Sequence, residues 1–138
     1  MQTFMPYLSF DTTAKCLDMQ RLGKQRVEAW QIYQALTRPD YGWQNHPAVK
    51  MWRGHDVFLL WYGLIICREW IRRGYNDTLL PKFDAALAGR SIQVMPPWYG
   101  DRAFHESHQS NLCRKAPWHY RQFFPDVNMS LPYVWPTP

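Results

Sequence analysis

Cysteine is scarce: Cys16, Cys67 and Cys113 are all the chain has, far apart and with no CxxC pair. So odd and sparse a set excludes a disulfide scaffold and suits free thiols in a reducing compartment. Long apolar runs are lacking too. The longest, Val57 to Cys67, has eleven residues, against the roughly 20 that a membrane-spanning helix needs. No membrane partner is expected. The opening MQTFMPYLSF has neither a basic region nor a small-residue cleavage site, which argues against a secretory signal and for a cytoplasmic location. No repeat or low-complexity linker divides the chain, so residues 1–138 read as a single domain. A Ser nucleophile elbow, a P-loop, GxGxxG and HExxH are all absent, which leaves no familiar phosphate, dinucleotide or zinc-protease motif.

What is present is positive charge and flat rings. Among 138 residues, Lys and Arg number 16 against 11 acids, for a formal charge of +5. Eleven of the 16 are Arg, which forks onto phosphate and stacks on bases where Lys acts as a point charge. Aromatics make up 17 % of the chain, with eight Trp. Cations interleaved with rings suit an unpaired or extruded base. A Trp-rich core would give the same composition.

The periodicity is helical, and no segment alternates long enough for a sheet. Asp11 is expected to cap a first helix that runs to Leu36, before Thr37-Arg38-Pro39, with Gly23 loosening its middle. Leu22, Ala29 and Leu36, with Ile32 and Tyr33, give that helix a core face. After the loop PDYGWQNHP, Pro47 opens a second, largely apolar helix that runs to about Arg73 and stops at Gly74. Short turns are expected over 76–100, a third helix over Arg102 to Lys115, and a short aromatic turn from Pro117. The tail from Pro125, with four prolines, reads as an extended strap. The expected fold is mainly α, with about three main helices, long loops and that strap.

The stretch RLGKQRVEAW carries the strongest chemical signal. Arg21, Lys24, Gln25 and Glu28 share a helix face, with Arg26 at its border. Two readings fit: an i to i+4 pair of Lys24 with Glu28 on a solvated face, or cations gripping phosphates around one acid. The second is favoured by three cations standing beside a single carboxylate. His46, His55, His105 and His108 raise a metal question, since His105 and His108 have helical i, i+3 spacing that Cys113 or an acid would complete. With Glu106 pointing away from that shared face, hydrogen bonding to phosphate or capping is the expected role, and no metal or cofactor is assigned. In KAPWHYR and just after it, Trp118, Tyr120 and Phe123 either pack the third helix or face nucleic acid with Lys115 and Arg121.

In their order, these motifs resemble the pyrimidine-dimer DNA glycosylase (endonuclease V) family. The similar segments are Leu22-Gly23-Lys24-Gln25-Arg26, Asn45-His46-Pro47 with Trp52-Arg53-Gly54, and Arg72-Arg73-Gly74-Tyr75-Asn76. Ser107-His108-Gln109-Ser110-Asn111-Leu112 with Lys115, Pro117 and Tyr120 completes the set. The resemblance implies a helical domain that binds duplex DNA, extrudes a nucleotide and cuts a glycosidic bond without a metal. It implies attack on C1′ by the α-amine of the first residue, an imine, and a first-helix glutamate that assists β-elimination. An α-amine has an ordinary pKa of about 7.7–8.0, so part of such amines is free base at neutral pH.

Gln2 is too large to favour removal of the preceding Met, so Met1 is expected to supply that amine. Aligning Arg26 with the family's first-helix arginine sets Val27 at the glutamate position, with Glu28 about 100° further round the helix. Glu28 is the carboxylate expected to serve. Arg21, Lys24 and Arg26 are then expected to clamp phosphates, with His46, Arg53, His108, Lys115 and Arg121 as further DNA contacts. The expected partner is double-stranded DNA bearing a damaged or modified base, met by a monomer. Two rivals stand beside this: a non-catalytic nucleic-acid-binding module on the same fold, and a metal-dependent nuclease built on His105 and His108.

Overall fold

Ser9, and not Asp11, caps the first helix, its Oγ accepting the Thr12 N–H at 3.1 Å. The computed structural model describes residues 1–92 and 94–136, and among these it is mainly α with no strand. The helices are α1 (Phe10–Cys16), α2 (Met19–Thr37), α3 (Pro47–Lys50), α4 (Asp56–Arg72), α5 (Leu80–Leu87), α6 (Arg102–Lys115) and α7 (Pro117–Tyr120).

The first two long helices expected from the sequence are therefore each broken. The first break lies at Leu17 and Asp18. Leu17 turns extended, and the Asp18 carboxylate caps α2 by accepting the Arg21 N–H. Tyr120 of α7 fixes this corner: its hydroxyl donates to the Asp18 carboxylate and accepts the Asp18 N–H. The second break follows α3, where Gly54 takes a φ of +83°, a left-handed conformation that favours glycine. Gly23 does not loosen α2, which runs unbroken for 19 residues. A Cβ there would stand 2.8 Å from the Trp70 ring, so the glycine lets α4 pack its indole against α2.

One contiguous apolar cluster joins the elements, with Leu22, Ala29 and Ile32 of α2 against Leu59, Tyr62 and Ile66 of α4. α4 is the buried helix, as its near-continuous apolar run requires. α6 and the turn at α7 lie where the sequence places them. Beyond Pro125 the described chain has no helix and lies against α6.

Candidate active site

The first residues of the chain are inside it. Residues 2–6 are buried, and buried peptide groups need partners. Side chains supply them. Glu28 Oε2 accepts the Gln2 N–H at 3.0 Å, and Gln25 Oε1 accepts the Phe4 N–H at 2.8 Å. Gln25 Nε2 reaches both the Gln2 carbonyl, at 3.0 Å, and Glu28 Oε2, at 3.2 Å. The Tyr62 hydroxyl lies 2.7 Å from the Phe4 carbonyl and 2.8 Å from Gln25 Oε1. Burial, then the charge of Glu28, raises the Tyr62 pKa well above its ordinary value, which keeps its donor proton in place. From α6, His108 Nδ1 accepts the Met5 N–H at 2.9 Å and Gln109 donates to the Pro6 carbonyl at 2.8 Å. His105 accepts the Gly100 N–H on Nε2, which leaves the proton on Nδ1 to meet the Met5 carbonyl at 2.8 Å.

This threading sets Met1 at a cavity of about 330 Å³. Met1, Arg21, Lys24, Glu28 and Lys115 all line it, together with Gln2, Phe4, Gln20, Gln25, Tyr133 and Trp135. Five residues picked from the sequence thus meet at one place. The alternative Lys24–Glu28 pair does not form: among the described residues Lys24 makes no ion pair. Arg21 is partly neutralised by Asp18 at 3.2 Å. Val27 is 43 % exposed and absent from the cavity wall, so of the two neighbours Glu28 is the one aimed at the amine-bearing segment.

His46 stands close by. Its pKa is lowered by burial first and then by the N-terminal ammonium, against an opposing pull from Glu28. Its Nδ1 caps α3 through the Ala48 N–H, and its ring meets that of Trp135 edge-on at 6.2 Å.

Other expected DNA contacts are employed elsewhere. Arg26 is 14 % exposed, is paired with the buried Asp77 carboxylate, and lies 4.5 Å over the Trp70 ring. Arg26, expected as a phosphate clamp, here braces α2 against the 76–80 segment. His108 is 1 % exposed and its pKa is pushed down to about 3, by burial first and then by His105. It is a neutral acceptor holding Met5, with no open face for DNA. Arg53 donates to the Gln44 carbonyl at 2.8 Å, outside the cavity wall. Arg121 is exposed beyond α7, and its guanidinium donates to the Pro125 carbonyl at 3.4 Å. Among the described residues no group of three His, Cys, Asp or Glu is placed to hold a metal ion.

Gln25, Tyr62, Tyr133 and Trp135 went unpicked in the sequence. Gln25 lay within a motif segment and on the right face. Nothing in the tail's composition shows that it returns to the N-terminus.

A sequence model of the family described as pyrimidine dimer DNA glycosylase matches residues 1–82. That is more than half of the chain, and the chain belongs to that family. No curated protein and no solved structure matches it. Membership supports, in general terms, a glycosylase role in DNA repair with a DNA substrate. The matched segment holds Met1, Arg21, Lys24, Gln25, Glu28 and His46, whereas α6, α7 and the strap lie beyond it. No helix among the described residues is long and apolar enough to cross a membrane.

Proposed function

We propose that this protein is a DNA glycosylase with abasic-site lyase activity, acting on a damaged or modified pyrimidine in duplex DNA through the amine of Met1. The observation that carries the reading is the Glu28 carboxylate accepting the Gln2 N–H at 3.0 Å. A carboxylate is thereby fixed one residue from the terminal amine, in a cavity also lined by Lys24, Arg21 and Lys115.

In this scheme the cations meet phosphate, and the amine meets the sugar. The amine lone pair bonds to C1′ as the glycosidic bond breaks and the base leaves with a proton. The nitrogen passes a proton to O4′ as the C1′–O4′ bond opens, which leaves a 4′-hydroxyl and a protonated imine. Glu28 takes a proton from C2′, and the electron pair released expels the 3′ phosphate. Tying the amine-bearing segment to the α2 carboxylate removes much of the entropic cost of bringing them together. Gln25 is the positioning residue, since one amide touches both Glu28 and the Gln2 carbonyl.

Borohydride reduction tests the imine. At neutral pH it should trap the protein covalently on duplex DNA carrying an abasic site. Intact binding without trapping would overturn the lyase reading and leave a nucleic-acid-binding module. Trapping that survives a chelator excludes the metal-dependent alternative.

A further inference from the structure

Two rings of the C-terminal strap, Tyr133 and Trp135, stand in the cavity wall with Phe4. Alternate residues of an extended chain project to the same side, and the residue between them is turned the other way. Val134 gives its N–H to Ser107 Oγ of α6 at 3.1 Å. The strap is pinned again where Leu131 donates to Ser110 Oγ at 3.1 Å and accepts from Arg114 at 2.7 Å. This docking uses main-chain groups of the strap, and the rings add to it, Tyr133 against Phe4 and His108 and Trp135 against His46. Both rings are half-buried at the cavity, 5.6 Å apart and inclined at 47°. Tyr133 is held edge-on to His108 at 5.5 Å. They are preordered flat surfaces beside a carboxylate, an amine and two lysines.

We propose that Tyr133 and Trp135 are the base-selecting wall of this site, which takes one extruded nucleotide and stacks its base on the strap. The inference rests on the glycosylase reading above and extends it. The sugar is assigned to Met1 and Glu28, the phosphate to Lys24 and Lys115, and the base to the two rings. Selectivity for the base then resides in a segment outside the family-matched residues 1–82. A nucleotide without a base gains nothing from the wall.

The test compares two short single-stranded probes. One is a pentamer of tetrahydrofuran nucleotides, which have no base and no aldehyde. The other is identical but for a central thymine. Stacking on an aromatic side chain predicts that the parent binds the thymine probe about tenfold more tightly. Trp135→Ala should abolish that preference by losing affinity for the thymine probe alone, and Trp135→Phe should keep most of it. The strap's main-chain bonds to α6 remain in both variants, and an unchanged melting temperature verifies this. A parent without preference, or a Trp135→Ala variant that weakens on both probes equally or on neither, overturns the proposal. No covalent step is measured. Failure of borohydride trapping would therefore sink the imine alone, and failure here, with trapping intact, would sink the wall alone.

Discussion

Glu28 and Gln2 are joined by a 3.0 Å hydrogen bond from a main-chain N–H to a side-chain carboxylate, across 26 residues of sequence. The bond fixes the carboxylate one residue from the amine-bearing Met1. It also separates two roles that mutation can distinguish, since a neutral amide oxygen still accepts a hydrogen bond and no longer takes a proton.

Glu28→Gln should therefore fold and bind DNA like the parent while strand cleavage falls by about 10²–10⁴-fold, the usual worth of a positioned acid–base group. Single-turnover cleavage and fluorescence anisotropy measure the two separately. Cleavage at the parental rate would reduce Glu28 to a clamp for Gln2.

Adding one or two residues before Met1 should abolish trapping. Each extended residue moves the amine by up to about 3.6 Å, and residues 2–6 cannot slide to compensate, because their peptide groups are held by Glu28, Gln25, His108 and Gln109. Full trapping by an uncleaved, extended protein would transfer the nucleophile to Lys24.

Lys24 and Arg26, two residues apart, should behave in opposite ways. Lys24→Ala should weaken binding to DNA of any sequence and lower the salt slope by about one, with little change in stability. Arg26→Ala should leave the salt slope alone and cost on the order of 3 kcal/mol of stability, because Asp77, with a side chain only 1 % exposed, keeps its charge and the Leu79 and Leu80 N–H bonds but loses the guanidinium that neutralises it. Salt titrations of binding and urea denaturation distinguish these outcomes.

The pH dependence of stability should report His108. Its folded pKa, about 3, lies below the ordinary 6.5, so as pH falls below about 6.5 the unfolded chain takes up a proton that the folded one refuses. Stability is complete above that value and declines toward pH 3, by roughly 1.4 kcal/mol per pH unit in the middle of the range. His108→Asn preserves an acceptor for the Met5 N–H and should flatten the decline. An unchanged slope would assign it to other groups.

Helix content, the limits of α6 and the apolar character of α4 were legible because periodicity and capping act locally. The breaks in the first two helices were not. Leu17 is a good helix former, and it is Tyr120, more than 100 residues away, that holds Asp18 at the corner. The same distinction runs through the site. Arg21, Lys24 and Glu28 could be grouped from helical spacing alone. Arg26 looked equivalent until Asp77, 51 residues on, claimed it. His105 and His108 were correctly seen to share a face, but spacing does not say whether a face points to solvent or, as here, to the buried N-terminal segment.

The clamps on Met5 come from His105 and His108, separated from it by 100 and 103 residues. Closing so long a loop is entropically slow compared with forming α1 or α2. Synthesis runs in the opposite sense to assembly at this site: Met5 is made before the α6 histidines that clamp it. A chain that stops before α6 would keep the Glu28 and Gln25 bonds to the first residues but lack the His105 and His108 clamps on Met5. The order of synthesis thereby leaves this buried segment held by α2 and α4 alone until α6 has formed.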